Sequence, residues 1–62
     1  MRTWIADISP NPAPECWLAY INDVGDIVRR QYYGSGTYAI VKVKQAVVLM
    51  NEIEQERERL AT

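Results

Sequence analysis

The residue types that most often carry out catalysis are scarce in this sequence. Cys16 is the only cysteine and histidine is absent, so a thiolate at Cys16 would have no imidazole to act as its base. One cysteine without histidine also falls short of the four sulfur or nitrogen ligands of a structural zinc site. We therefore predict a non-enzymatic protein with no catalytic residue, metal or cofactor, in which Cys16 is a small buried apolar residue.

Three polar residues close to a glycine, Asn22, Asp23 and Asp26, have the chemistry of a cation site. Their spacing differs from that of a calcium-binding loop, and the distal glutamate of such a loop is missing. The pattern is typical of a tight turn instead, because Gly25 can adopt the left-handed conformation that a hairpin connection needs. It predicts a β-hairpin here.

The segment Arg29 to Tyr33, with the sequence Arg-Arg-Gln-Tyr-Tyr, has side chains suited to nucleic acid. Guanidinium and amide groups bind phosphates and base edges, and tyrosine stacks on bases. The chain has a net charge of −1, however, and its two parts, residues 1–44 and 45–62, carry only +1 and −2. Neither part has the basic excess that drives binding to a phosphate backbone. DNA binding through Arg29, Arg30 and Gln31 is therefore the alternative function. The other interpretation of this segment is a half-exposed strand whose arginines lie along aromatic rings.

Three strands and one helix are predicted to position these residues. Residues 3–8, 16–21 and 26–33 are rich in β-branched and aromatic residues and read as strands. Prolines at positions 10, 12 and 14 make the segment between the first two strands, which includes Asn11, an extended connector.

Residues 37–43 are compatible with two structures. Thr37 could cap a helix from Tyr38 to about Ala61, along which apolar residues recur at the i, i+3, i+4, i+7 spacing. The same residues also have the composition of a fourth strand, with the helix beginning near Lys44. The continuous apolar stripe favours the long helix. We predict one α+β domain over residues 1–62, a small antiparallel three-stranded sheet packed on one C-terminal helix (β-β-β-α), with β-β-β-β-α as the alternative.

Both faces of this sheet carry large apolar side chains, although one helix can cover only one face. A 62-residue chain without a disulfide has a thin stability margin, which self-association would improve. An exposed apolar face usually marks an interface, and Trp, Tyr and Arg are common at binding hot spots. The other interpretation is that the helix and the proline-rich connector cover both faces. The predicted partner-binding residues are Trp4, Trp17, Tyr20, Tyr32 and Tyr33.

The order of a strand, a Trp-bearing strand, an Asp/Gly turn, an Arg-bearing strand and a C-terminal helix resembles the AP2-like, arm-type DNA-binding domains at the N-termini of phage integrases. In that family the three-stranded sheet enters the major groove. The resemblance implies that Arg29, Arg30 and Gln31 face DNA. This sequence departs from the family in its net acidity.

The leading prediction is a protein-interaction module that forms a homo-oligomer or binds another protein through apolar surfaces of the sheet and the helix. It would be a small regulatory, accessory or inhibitor protein of the kind that phages and mobile elements encode. A lone cysteine and the lack of an apolar N-terminal segment indicate the cytoplasm. No apolar run approaches the roughly 20 residues that span a bilayer, so no membrane association is expected.

Overall fold

The computed structural model describes residues 2–10 and 12–61, and it confirms the β-β-β-α order. The elements are β1 (Thr3–Ile8), β2 (Glu15–Ile21), β3 (Ile27–Ser35) and α1 (Thr37–Ala61). The strands form one antiparallel sheet in the order β1-β2-β3. Residues 37–43 belong to α1, because their apolar side chains continue the stripe with which the rest of the helix contacts the sheet.

The two connections within the sheet are closed by hydrogen bonds from backbone N–H groups to short polar side chains. In the β2–β3 turn, Asn22 Oδ1 accepts hydrogen bonds from the backbone N–H groups of Val24 (3.1 Å) and Asp26 (3.0 Å). Gly25 has the positive φ of 92° that the turn requires, and the predicted hairpin is confirmed. In the β1–β2 connector the backbone N–H of Glu15 donates to Ser9 Oγ at 3.0 Å. Asn11 lies outside the described residues.

The sequence prediction that β3 ends at residue 33, before the Gly-Ser-Gly segment, was wrong. Gly34 pairs with Cys16 and Ser35 pairs with Glu15, after an irregularity that leaves Tyr33 as an extra residue on β3. Gly34 can continue the strand there because its φ of 106° is accessible to glycine.

Gly36, and not Thr37, precedes the helix. Its carbonyl accepts the hydrogen bond from the N–H of Ile40 at 3.1 Å, and its own N–H donates to the Pro14 carbonyl at 3.0 Å. Gly36 has a φ of 89°, so the chain reverses direction at this residue. Thr37 is then the first residue of α1, which differs from the capping position that the sequence suggested.

The core is small and lies between α1 and one face of the sheet. Its buried members are Cys16 and Leu18 on β2 with Ala39 and Val43 on α1. The predicted burial of Cys16 is confirmed, since its thiol is free and fully covered. Partly buried apolar residues surround this centre: Trp4, Ala6, Ile8, Tyr33, Ile40, Ala46, Val47 and Met50.

The molecule is more extended than a compact domain of its length. Its Cα radius of gyration is 12.6 Å, whereas a compact 62-residue domain is expected near about 10.6 Å. Its accessible surface is 4619 Å², against about 4,100 Å² expected for a monomer of this mass. The excess surface is largely a consequence of the thin shape, 44 × 22 × 13 Å. No helix in the described part of the chain is long and apolar enough to cross a bilayer.

Candidate protein-interaction surface

The sheet has one face covered by α1 and one face that no described helix or strand covers. Trp4, Ala6 and Leu18 pack into the core, so alternation along each strand places their neighbours on the opposite side. We call that side the open face. Across the three strands it carries Ile5, Asp7, Trp17, Ala19, Arg30 and Tyr32, which are paired in register as Ile5–Ala19–Arg30 and Asp7–Trp17–Tyr32.

The Arg30 side chain crosses the open face diagonally from β3 towards β1. Its guanidinium carbon lies 4.2 Å from the centroid of the Trp17 ring, within the range of a cation–π interaction. Its Nη2 atom lies 3.5 Å from Asp7 Oδ2. Both members of this ion pair are about half exposed, so the pair contributes little to stability. The guanidinium thus lies between the Trp17 ring and the Asp7 carboxylate.

The Trp17 and Tyr32 rings form the aromatic part of the open face. They are cross-strand partners, with ring centroids 4.9 Å apart and planes tilted by 56°. This is a favourable geometry for aromatic pairs. Tyr32 retains 49% of its accessible surface although its ring is held by Trp17. The face therefore presents an ordered aromatic pair to the surroundings.

Ala19 lies at the centre of the open face and is fully buried. It is paired with Ile5 on one side and with Arg30 on the other. Because Ala19 is much smaller than these neighbours, their side chains close over it without help from another element. The centre of the open face is consequently a continuous side-chain surface in which Ala19 is covered.

The remaining predicted partner-binding residues lie on the covered face. The Trp4 and Tyr20 rings contact each other with centroids 4.7 Å apart, and both Trp4 and Tyr33 pack against the core. The Tyr20 hydroxyl donates a hydrogen bond to Glu54 Oε1 on α1 at 2.8 Å. This hydrogen bond, followed by partial burial and the negative charge of Glu54, raises the pKa of Tyr20. These contacts attach α1 to the sheet, so of the five predicted residues the open face has Trp17 and Tyr32.

Asn51 has a positional role that sequence reasoning missed. It sits in the middle of α1, and its side-chain Oδ1 accepts from the Trp4 backbone N–H at 2.8 Å while its Nδ2 donates to the Trp4 carbonyl at 3.1 Å. The amide thus replaces a strand partner at the outer edge of β1. The available signal was the occurrence of an asparagine, a poor helix former, within a 25-residue helix.

The three nucleic-acid candidates are divided between the two faces. Strand alternation puts Arg30 on the open face and puts Arg29 and Gln31 on the side of Trp4 and Met50. All three nevertheless line one shallow groove, together with Trp4 and Met50. On the open face, Asp7 balances the charge of Arg30. The geometry therefore presents one charge-compensated guanidinium there and no cluster of cations.

The acidic residues of the β2–β3 turn behave as turn residues in the described structure. Asp23 Oδ2 lies 3.5 Å from Arg2 Nε in an exposed ion pair, and the Asp26 backbone is bonded to Asn22. Within residues 2–10 and 12–61, no group of three or more His, Cys, Asp or Glu side chains is placed to share a metal ion.

Comparisons with known proteins found no match to this chain among protein-family models, curated protein sequences or solved structures. The resemblance to integrase arm-type domains therefore stays a prediction. The surfaces described above carry the functional argument.

Proposed function

We propose that this chain is a non-enzymatic, cytoplasmic protein-interaction module that binds a protein partner through the open face. The observation that carries the proposal is the cluster of Arg30, Trp17 and Tyr32, held together by ring and cation–π contacts on a face left uncovered by the described chain. These are the three residue types most enriched at binding hot spots. Because neighbours already orient their side chains, binding would immobilise few of them, which lowers its entropic cost.

The electrostatics of the open face favour a protein over a nucleic acid. A solvent-facing sheet surface is usually polar, whereas this one is apolar and aromatic around a single ion pair between Arg30 and Asp7. Affinity for nucleic acid arises largely from cations that displace counterions from phosphates. An ion pair that is already neutral supplies little of that driving force.

The outer edge of β3 supports a proposal for the kind of partner. The Trp4 backbone groups point away from β2 to Asn51, and in an antiparallel ladder this direction alternates. In the β1–β2 register the backbone groups of Trp17 and Ala19 therefore point to β1. Their partners on β3, Tyr32 and Arg30, consequently point their backbone groups to the outer edge of the sheet. We infer that an extended segment of the partner pairs there and places apolar side chains beside Tyr32.

The charge on β3 indicates that this extended segment is not a second β3. Two copies paired edge to edge would bring Arg29 and Arg30 of one copy close to the same arginines of the other, and charged residues on an edge strand oppose such pairing. An apolar segment that also carries acidic residues would complement the same edge. An accessory or inhibitor protein acting on a larger partner is consistent with this mode of binding.

Capture of partners with a matched pair of variants tests the proposal. The purified, immobilised protein is exposed to a lysate of the source cells, beside the variants Tyr32→Ser on the open face and Val41→Ser on α1. The two native residues are equally exposed, at 49%. We expect a partner that is retained by the wild type and by Val41→Ser and lost with Tyr32→Ser. Equal recovery with both variants would remove the open face from the proposal.

DNA binding is measured in parallel as the alternative function. A random-sequence duplex labelled with a fluorophore is titrated with the wild type and with the double variant Arg29→Ala, Arg30→Ala at two salt concentrations. Our proposal expects no salt-sensitive change in anisotropy. A complex that weakens at higher salt and is lost in the double variant would favour the alternative.

A further inference from the structure

One side of α1, away from the sheet, carries a stripe of exposed residues. At 100° per residue, its members fall within an arc of about 60° that is roughly 100° from the core residues of the same helix. The apolar members Tyr38, Leu49, Ile53 and Leu60 are 76%, 57%, 38% and 76% exposed. We call this set the helix stripe: Tyr38, Lys42, Leu49, Ile53, Glu56 and Leu60.

We propose that a second copy of this chain binds the helix stripe with its own helix, antiparallel, about a two-fold axis at Leu49. Lys42 precedes Leu49 by seven residues and Glu56 follows it by seven, so each lysine meets the partner copy's glutamate. Tyr38 and Leu60 are eleven residues from Leu49 on either side, so an apolar pair closes each end. Leu49 meets its own copy at the centre, as an isologous interface requires.

Charge decides between the antiparallel and the parallel arrangement. Any helix face has positions symmetric about a chosen residue, so the spacing alone indicates no direction. In a parallel pair, however, Lys42 would face Lys42 and Glu56 would face Glu56, which is repulsive. The antiparallel pair replaces these with two Lys42–Glu56 ion pairs. Glu56 already contacts Arg59 in its own chain, and a carboxylate can accept from both cations.

The charge distribution along α1 favours the same arrangement. The second turn of α1 contains Lys42 and Lys44, and its last three turns contain four glutamates and two arginines. In an antiparallel pair, each acidic C-terminal half lies beside the basic N-terminal half of the other copy, whereas a parallel pair would place halves of like charge side by side.

The shape of the monomer supports a second copy as the partner of the helix stripe. The chain has about 13% more accessible surface than expected for its mass, and α1 is about 37 Å long at 1.5 Å per residue. A pairing along this length covers apolar residues at both ends of the stripe and at its centre. The two-fold axis places both sheets on the same side of the helix pair, and each open face is the side of its sheet turned away from α1, so the open faces remain accessible.

Solution mass across a concentration series tests the dimer, with Leu49→Lys and Val48→Lys as matched variants. Val48 is also an exposed apolar residue of α1 (60%) but lies outside the helix stripe. We expect a concentration-dependent dimer that Leu49→Lys weakens at least about tenfold because it buries two like charges at the axis. Val48→Lys should leave it unchanged, and circular dichroism checks that both variants fold. A wild type that stays monomeric, or equal effects of the two variants, would overturn the inference.

A charge exchange tests the direction of the pairing. Lys42→Glu and Glu56→Lys should each weaken the dimer about tenfold, and the double variant should restore it. An equimolar mixture of the two single variants should dimerise more strongly than either alone. Lys44→Glu, on another side of α1, is the control. Failure of the double variant to recover would exclude this antiparallel register.

The dimer and the open-face proposal rest on separate surfaces and fail separately. Tyr32→Ser should leave the solution mass unchanged. Leu49→Lys should leave unchanged any capture of a partner that depends on Tyr32. A fall in solution mass from dimer to monomer in Tyr32→Ser would mean instead that the copies associate through the sheet. That result would contradict the proposal that the helix stripe is the dimer interface.

Discussion

The Asn51 side chain makes two hydrogen bonds with the backbone of Trp4: its Oδ1 accepts from the Trp4 N–H (2.8 Å), and its Nδ2 donates to the Trp4 carbonyl (3.1 Å). A residue in the middle of the helix thus acts as a short strand at the outer edge of β1. Unpaired edge strands are prone to pairing with other chains, and here the edge of β1 is partly blocked. The two edges of the sheet therefore differ, and in our proposal the partner pairs with the edge of β3.

Replacing Asn51 with alanine should destabilise the fold. Two partly buried backbone groups would lose their partners, and we expect a decrease of about 1–2 kcal/mol in the free energy of unfolding. Urea denaturation measures this directly. The control is Gln55→Ala one turn later on an exposed position, which should change the same quantity by less than about 0.5 kcal/mol.

An aspartate at position 51 separates the two hydrogen bonds. In Asn51→Asp the carboxylate can still accept from the Trp4 N–H but can no longer donate to the Trp4 carbonyl. The free energy of unfolding of this variant should be lower than that of the wild type at neutral pH. Part of this loss should be recovered at acidic pH, where a protonated carboxyl can donate to the Trp4 carbonyl. A wild-type stability in both variants would mean that Asn51 does not hold the edge of β1.

The contact between Arg30 and Trp17 should be measurable as a coupling energy. A double-mutant cycle of Arg30→Ala and Trp17→Ala should give about 0.5–1 kcal/mol, the range of an exposed cation–π contact. The control cycle pairs Arg30→Ala with Asp7→Asn, whose exposed ion pair should couple more weakly and lose its coupling in high salt. A larger and salt-sensitive coupling to Asp7 would show that the ion pair, and not the ring, orients Arg30.

The strands and the helix could be predicted from the sequence, whereas the sheet face that the helix covers could not. The Asn22 turn and the long apolar stripe of α1 are local signals, and both gave the observed structure. On β1 and β2, by contrast, Trp4 and Trp17 are both large and apolar, so alternation could not say which of them the helix covers. That choice depends on contacts between residues far apart in the chain.

The missed features have the same physical origin. The contact of Asn51 with Trp4 joins residues 47 positions apart, and no local pattern encodes it. The extra residue at Tyr33 also arises from the pairing with β2, which moves the end of β3 beyond the glycine that suggested a break. Sequence reasoning found Arg30, Trp17 and Tyr32 by residue type. Their assembly into one cluster followed only from the strand register.

The hydrogen bond from Tyr20 to Glu54 should make stability depend on alkaline pH. Because the carboxylate accepts the phenolic proton, the folded state raises the pKa of Tyr20 above its unfolded value of about 10. A raised pKa means that the contribution is complete below the unfolded pKa and is lost as the pH rises through the folded one. The melting temperature of the wild type should therefore exceed that of Tyr20→Phe at pH 8, and the difference should shrink above pH 10.

Glu54→Gln should reduce the same difference while Glu52→Gln, a matched change on an exposed position of α1, should not. A difference between wild type and Tyr20→Phe that is constant from pH 8 to pH 12 would show that the hydroxyl does not attach α1 to the sheet.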